Sequence, residues 1–167
     1  MYTLYLNNVT QINKEMLNSV GVKALLLDID NTIKVYGASK PFSGVMKWVR
    51  EMEKQNIKII LFSNNYKKVV EPFAESMGLP FVAFALKPSP VAYFRAKKML
   101  NVNFSEIMIV GDQVFTDIFG AKLVGVKSML VDPVDVEKEG ATVKIRRIFT
   151  GGAEGRIKSR GLYMLEE

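Results

Sequence analysis

The sequence contains neither cysteine nor histidine. The absence of cysteine excludes disulfide bonds, thiolate nucleophiles and zinc–thiolate sites. The absence of histidine excludes the Ser-His-Asp triad and every imidazole base. Catalysis by this chain would therefore depend on carboxylates, lysine, hydroxyl groups or a metal ion held by oxygen atoms. Oxygen ligands favour Mg²⁺, Mn²⁺ or Ca²⁺.

Long hydrophobic runs are also missing. No apolar run approaches the ~20 residues that cross a bilayer, and the start MYTLYLNNVT lacks the basic and apolar regions of a signal peptide. We therefore expect a cytoplasmic protein. The 167 residues, 49% of them hydrophobic, suffice for one domain of ordinary size. We predict a single domain over 1–167, with its core at about 20–135 and a C-terminal extension at 136–167.

The formal net charge is +6, and basic residues become denser after residue 138. One interpretation is contact with an anionic partner, either the inner face of a membrane or a nucleic acid. The other is a solvated tail without a partner. The sequence carries no strong nucleic-acid signal, and it does not determine the oligomeric state.

Apolar runs alternate with segments of helical periodicity along the chain. Strands are predicted at 23–29, 57–65, 81–85, 105–113 and 126–133, and helices at 41–56, 66–78, 89–102 and 114–125. This alternation predicts an α/β fold, namely a doubly wound, mostly parallel, five-stranded Rossmann-like sheet. The glycine-rich segment 150–167 is weakly patterned, and the sequence leaves open whether it is flexible or folds over an edge.

Polar side chains follow the predicted strands where each strand ends. The run LLLDIDNTI places Asp28 and Asp30 at the tip of the first strand, and Ser63, Lys87 and Asp112 lie at or just past the ends of later strands, at similar intervals. Right-handed crossovers bring the carboxyl ends of parallel strands to one edge of the sheet, where such sheets bind ligands. Carboxylates that converge there require a cation, a shared proton or both. This pattern indicates phosphate chemistry with a metal ion.

DIDNT, SNN, KP and GDQxxTD, in this order, resemble the haloacid dehalogenase superfamily of aspartate-nucleophile phosphatases. The full pattern is similar to the YqeG-type subgroup of subfamily IIIA, which in turn resembles the phosphatidylglycerophosphate phosphatases. The resemblance covers roughly residues 20–135. It implies an α/β phosphatase that depends on Mg²⁺.

The resemblance assigns the catalytic and metal-binding residues. Asp28 would be the nucleophile that forms an aspartyl-phosphate, and also a metal ligand. Asp30 would be the general acid and then the general base, with its backbone carbonyl on the metal. An acid role requires a pKa above the usual value near 4, which burial can provide. Asp112 would be a side-chain ligand of the metal.

The remaining site residues would bind phosphate or support the site. The phosphate-binding residues implied by the resemblance are Asn31, Thr32, Ser63, Asn64 and Lys87. The Thr32 hydroxyl could equally brace the loop. Asp117 is either a second-shell partner of a metal-bound water or of Lys87, or a favourable charge at a helix N-terminus.

The short spacer 34–40 after DIDNT leaves no room for a large cap domain, so we predict an open site. An open site suits a bulky substrate. The leading prediction is a Mg²⁺-dependent phosphomonoesterase, with phosphatidylglycerophosphate as the first substrate to test. The alternatives are a phosphatase for soluble nucleotide, sugar or nucleic-acid-end phosphates, and a non-catalytic binding or regulatory module.

Overall fold

The computed structural model describes residues 3–138 and 141–160. Its centre is a six-stranded, fully parallel sheet with strand order β1-β6-β5-β2-β3-β4. The strands are β1 (Thr3–Leu6), β2 (Ala24–Leu27), β3 (Lys58–Phe62), β4 (Phe81–Val82), β5 (Ile107–Gly111) and β6 (Lys127–Val131). The α-helices are α1 (Lys14–Ser19), α2 (Val45–Lys54), α3 (Lys67–Met77), α4 (Val91–Leu100), α5 (Phe119–Val124) and α6 (Ala141–Arg160).

The predicted doubly wound α/β fold is confirmed, but the predicted number of strands is wrong. The additional strand, β1, pairs with β6 at the edge of the sheet, where Leu4 lies opposite Met129 and Leu6 opposite Val131. Its sequence TLYL is only four residues long and alternates half-buried with buried side chains. An edge strand needs no continuous apolar run, because only part of it is covered. The apolar-run criterion therefore missed it.

The central strand β2 carries the first acidic motif to the middle of the sheet. All four residues of β2 are buried. Leu25 and Leu27 belong to the core on one face, together with Trp48 of α2. Leu26 belongs to the core on the other face, together with Tyr93 of α4. The chain continues from β2 to β3 on one side, whereas β5 lies on the other side. The carboxyl end of β2 is thus a switch point, where open sheets bind ligands.

The predicted helix at 41–56 begins later, at Val45, because Gly44 has a left-handed φ of 91° and stops the helix from extending backwards. Between β2 and α2 the chain forms only a loop, so the described residues contain no inserted cap at this position.

The C-terminal extension is more regular than its sequence indicates. Residues 141–160 form α6, although this segment contains Gly151, Gly152 and Gly155. A glycine inside a helix costs about 1 kcal/mol relative to alanine, and tertiary contacts offset this cost. Lys158 of α6 binds Asp132 after β6 at 2.6 Å. Residues 161–167 lie outside the described part. Across residues 3–138 and 141–160, no helix has the length and apolar character that a membrane crossing requires.

Candidate active site

The polar strand ends meet in a cavity of about 170 Å³ at the carboxyl edge of the sheet. The predicted residues that line it are Asp28, Asp30, Asn31, Ser63, Asn64 and Lys87. The other predicted residues, Thr32, Asp112 and Asp117, are buried. The structure therefore brings the separate sequence motifs into one site.

Lys87 joins two of the carboxylates at the bottom of the cavity. Its Nζ lies 2.6 Å from Asp28 Oδ1 and 2.7 Å from Asp117 Oδ1. Burial alone would lower the pKa of Lys87, but the carboxylates of Asp117 and Asp28 outweigh it and raise that pKa above its usual value. The ammonium group therefore remains charged and neutralises part of the acidic cluster.

Asn64 positions Lys87 through a two-way contact. The Asn64 side-chain carbonyl accepts from the backbone N–H of Lys87 at 2.7 Å, and its amide donates to the Lys87 carbonyl at 3.2 Å. Both groups of the side chain are therefore used to hold the lysine loop. The neighbouring Ser63 hydroxyl accepts the backbone N–H of Asn65 at 3.1 Å, which leaves its own proton available to a ligand.

Asp28 lies directly beyond β2, where its N–H donates to the carbonyl of Val110 at 2.9 Å. Burial raises the pKa of Asp28; Lys87 opposes this rise and Asp117 adds to it. The Thr32 hydroxyl lies 3.3 Å from Oδ2 of Asp28 and 3.3 Å from Oδ1 of Asp112. Thr32 thus braces the loop across two carboxylates.

Asn31 makes the turn after β2 and adopts a left-handed φ of 61°. Its N–H donates to the carbonyl of Lys34 at 2.7 Å, and its own carbonyl accepts the N–H of Val134 at 2.9 Å. Asparagine tolerates this conformation better than most residues. Asp28 and Asp30, which precede this turn, both line the cavity.

Three buried carboxylates form a group that fits a divalent cation. Asp28, Asp112 and Asp117 each offer an oxygen, and these oxygens lie within 4.8 Å of one another. Burial raises the pKa of Asp112 well above its usual value, and the nearby Asp28 adds to this effect. Gln113 Oε1 is also buried and has no hydrogen-bond partner in the part of the chain that the structure describes. An oxygen-only set with excess negative charge suits a hard cation.

The position of Asp30 differs from that of the other carboxylates. Its side chain is half-buried, and the carboxylate group above includes Asp117 rather than Asp30. Its oxygens accept from Lys34 Nζ at 2.5 Å and from Asn65 Nδ2 at 2.6 Å. Lys34 and Asn65 were not predicted as site residues. The only signal for Asn65 is its place in the SNN motif, and Lys34 follows Asp30 by four residues in a loop.

Asp117 packs against the backbone of β5. A Cβ placed on Gly111 would lie 2.3 Å from Asp117 Cγ. The Asp117 carboxylate also accepts the N–H of Gln113 at 3.2 Å, next to a π-helical turn over Val114–Ile118. Both predicted environments of Asp117 are therefore present, since it contacts Lys87 and also the start of a helical segment.

The C-terminal helix supplies a residue that the sequence analysis did not assign to the site. Arg147 of α6 donates to the backbone carbonyl of Asp112 at 2.9 Å and also pairs with the Asp112 carboxylate. Val143, one turn earlier in α6, lines the cavity. No local pattern marks Arg147, because 35 positions separate it from Asp112. The basic tail was expected to be solvated or to contact a membrane.

A buried carboxylate next to a fixed lysine, beside an oxygen-only cation site, defines a class of enzyme. It is the class of hydrolases that hold a divalent metal, and in the described residues a loop takes the place of an inserted domain after β2. The chain belongs to the haloacid dehalogenase-like hydrolase family, whose sequence model matches residues 3–125.

Comparisons with known proteins agree with this assignment. The chain is 29% identical over 163 residues to "Probable phosphatase YqeG" of Bacillus subtilis, an alignment that covers 98% of this chain and 94% of that protein. The predicted haloacid dehalogenase-type phosphatase is thereby confirmed. The further comparison with phosphatidylglycerophosphate phosphatases is not confirmed.

Solved structures agree on the fold. The 4-nitrophenylphosphatase of Thermotoga maritima matches with a TM-score of 0.58 and 12% identity, covering 71% of this chain and 90% of that one. The cobalt-bound deoxy-D-mannose-octulosonate 8-phosphate phosphatase of Haemophilus influenzae matches with a TM-score of 0.52 and 14% identity, covering 83% and 92%.

Proposed function

We propose that this protein hydrolyses phosphomonoesters through an aspartyl-phosphate intermediate on Asp28, with Mg²⁺ as its metal. The observation that carries the proposal is the contact of Lys87 Nζ with both Asp28 and Asp117, at 2.6 and 2.7 Å. It fixes one carboxylate oxygen of Asp28 and offsets the cost of its burial. A buried carboxylate held in its ionised form in this way can act as a nucleophile.

In the first step an oxygen of Asp28 forms a bond to phosphorus while the bond from phosphorus to the ester oxygen breaks. Asp30 gives its proton to the departing alkoxide, which leaves as the alcohol. The Asp30 carboxylate lines the cavity and is positioned by Asn65 at 2.6 Å. Lys34, at 2.5 Å, stabilises the carboxylate that is left after the proton has been given up.

In the second step Asp30, now ionised, takes a proton from water. The resulting hydroxide attacks phosphorus, the bond to Asp28 breaks, and inorganic phosphate leaves. The two aspartates thus return to their starting states. Separating nucleophilic attack from proton transfer explains why two carboxylates with different surroundings are needed.

Donors around the cavity would hold the phosphate oxygens. The Ser63 hydroxyl retains its proton for this purpose, because it accepts from Asn65 instead of donating. Lys87 adds positive charge next to these oxygens. The predicted phosphate contact of the Asn31 and Thr32 amides is not supported, because these N–H groups donate to the carbonyls of Lys34 and Ile29. The Asn64 side chain serves indirectly, since both of its polar groups contact Lys87.

The proposed Mg²⁺ ligands are Asp28, the Asp30 carbonyl and Asp112, while Asp117 binds Lys87 at 2.7 Å and supports the site through it. When bound, Mg²⁺ reduces the repulsion between the carboxylates and an anionic substrate. We propose Mg²⁺ and not Ca²⁺, because proteins usually bind Mg²⁺ through one or two carboxylates together with the phosphate of the substrate.

The candidate substrate to test first is phosphatidylglycerophosphate, and its support is the resemblance of the sequence motifs. A peripheral membrane contact through α6 is part of this proposal. Ile148 and Phe149 are 78% and 86% exposed on α6. The same helix carries the exposed basic residues Lys144 and Arg156, which would favour anionic lipid. Leu162, which the sequence also suggests for this contact, lies outside the described residues.

The experiment is release of phosphate from p-nitrophenyl phosphate, with Mg²⁺ or with chelator, by the natural protein and Asp28→Asn. We expect Mg²⁺-dependent turnover that falls by about 10³-fold or more in the variant, because the nucleophile is lost. Equal turnover by both proteins would show that Asp28 is not the nucleophile. A panel of phosphatidylglycerophosphate, sugar phosphates, nucleotides and nucleic-acid ends then separates the substrate classes.

A further inference from the structure

A second cavity adjoins the active-site cavity, between the loop after β2 and helix α3. We call it the side groove, and define it by Tyr36, Val69, Pro72 and Phe73, with Asp30 and Asn65 at its inner end. Its volume is about 520 Å³, against about 170 Å³ for the active-site cavity. Small-molecule sites usually have about 300–1,000 Å³. The side groove falls within this range, whereas the active-site cavity has room for a much smaller group.

The two cavities share Asp30, Tyr36 and Asn65. Asp28 and Lys87 line the active-site cavity but not the side groove. The proposed nucleophile and the proposed general acid therefore differ in their access to the groove. In an in-line displacement the group that leaves phosphorus lies on the side opposite the nucleophile. The acid that protonates this group must lie beside it.

We propose that the side groove binds the leaving group of the substrate and selects phosphomonoesters of alcohols with an apolar carbon body. The inference rests on the proposed function, since it takes Asp30 as the acid that faces the ester oxygen. The phosphate occupies the active-site cavity, the ester oxygen lies next to Asp30, and the carbon body extends along Val69 and Phe73.

The chemistry of the groove walls favours an apolar body. Tyr36 and Val69 are large apolar side chains that remain about half exposed although they lie beside the active site. The charged residues among the described residues that line the groove are Asp30 and Lys34, and these two bind each other at 2.5 Å. Lys34 Nζ also lies 5.6 Å from the centre of the Phe73 ring. A second phosphate on the leaving group would therefore meet a cation that is already paired.

The test measures turnover of methyl, ethyl, butyl and hexyl phosphate, because their leaving groups differ little in acidity. We expect kcat/KM to rise by roughly fourfold for each methylene group that becomes buried, and then to level off. Glycerol 3-phosphate, being polar, is expected to fall well below butyl phosphate. A flat series would overturn the inference while leaving the proposed function intact.

Variants locate the effect in the groove. Val69 is 52% exposed on α3, so Val69→Glu is compatible with the helix. This variant should reduce the increase in kcat/KM that each added methylene group produces. The matched control is Leu123→Glu, because Leu123 is 54% exposed on α5 and lines neither cavity. An equal loss in both variants, or an unchanged series in Val69→Glu, would contradict the assignment.

Calorimetric titration with methyl-, butyl- and hexylphosphonate tests the groove without turnover. Affinity should increase with chain length in the natural protein and less so in Val69→Glu, whether or not any ester is hydrolysed. If the three phosphonates bind with equal affinity, or do not bind, the proposal that the side groove binds the carbon chain is wrong. Turnover of micellar phosphatidylglycerophosphate shows whether the natural leaving group is a lipid. If it is, Val69→Glu should lower kcat/KM for this substrate as well.

Discussion

The guanidinium of Arg147 donates to the backbone carbonyl of Asp112 at 2.9 Å and pairs with the carboxylate of the same residue. Arg147 belongs to α6, whereas Asp112 follows β5 and is part of the three-carboxylate group. The positively charged Arg147 side chain therefore binds a carboxylate that belongs to the candidate metal site. Arg147 and the metal should compete for Asp112, because both neutralise the same charge.

This competition predicts that Arg147→Ala binds Mg²⁺ more tightly, by about tenfold if the ion pair opposes binding by about 1.4 kcal/mol. Mg²⁺ affinity is measured by calorimetry or by competition with Mn²⁺. In the presence of a chelator, the free energy of unfolding of the variant should be lower by about 1–3 kcal/mol, since the buried carboxylate of Asp112 loses its partner. The control is Arg156→Ala on an exposed part of α6. Weaker metal binding in Arg147→Ala would show that Arg147 positions Asp112 instead.

Replacing Asp112 should reveal the cost of its burial. The pKa of Asp112 lies well above its usual value because burial disfavours the charged form, so the folded state binds its proton more tightly than the unfolded state. Folding stability therefore falls as pH rises from about 4 towards the folded-state pKa. Asp112→Asn removes this loss. In chelator we expect it to raise the Tm at pH 7 and to change it little below about pH 4.

We expect Mg²⁺ to raise the Tm of the natural protein, and the same variant should lose this increase because a proposed ligand of the metal is missing. Thermal unfolding with Mg²⁺ and with chelator, at both pH values, measures the two effects together. A lower Tm for Asp112→Asn in chelator at pH 7 would mean that its contacts outweigh the cost of burial.

Lys87→Met should alter the pH dependence of the reaction as well as its rate. Lys87 lowers the pKa of Asp28 against the effect of burial. Without the ammonium group that pKa rises further, and the fraction of ionised nucleophile at neutral pH decreases. We expect kcat/KM to fall by about 10²-fold or more and its acid limb to move to higher pH. A pH profile of kcat/KM tests this, with Lys98→Met on the exposed side of α4 as the control.

Two glycine-to-alanine variants should have opposite effects. At Gly111 a Cβ would lie 2.3 Å from Asp117 Cγ, so Gly111→Ala should destabilise the fold by about 1–3 kcal/mol and displace Asp117 from Lys87. Gly151 lies in α6 with open space around it, so Gly151→Ala should stabilise by up to about 1 kcal/mol. Denaturant unfolding measures both. A Gly111→Ala protein as stable as the natural one would mean that β5 can shift to admit the methyl group.

The strands with continuous apolar runs could be predicted from the sequence. The buried segments are ALLL, IILF and IMIVG, and each is followed directly by polar residues. Continuous apolar runs of this kind fit strands that are covered on both faces. Strand β1 could not be found in this way, because its pattern alternates over four residues and its partner β6 lies more than a hundred positions away. The helicity of α6 was also hidden, since its glycines oppose a helix and contacts such as Lys158–Asp132 overcome that preference.

The sequence by itself determined the chemistry available to the site. Without cysteine or histidine, and with DIDNT, SNN, KP and GDQxxTD after successive strands, oxygen ligands and a lysine were the groups left to act on phosphate. Parallel topology then brings these groups to one edge, whatever the details of packing.

Tertiary structure decided which groups touch. It made Asp117 a partner of Lys87, directed Asn64 onto the lysine loop, and brought Arg147 of α6 to Asp112. It also opened the side groove next to Asp30. These contacts join segments that are far apart in the chain, and they depend on side-chain directions and on the path of α6. Local sequence patterns encode the period of a strand or helix, but they do not encode which distant side chain will lie against it.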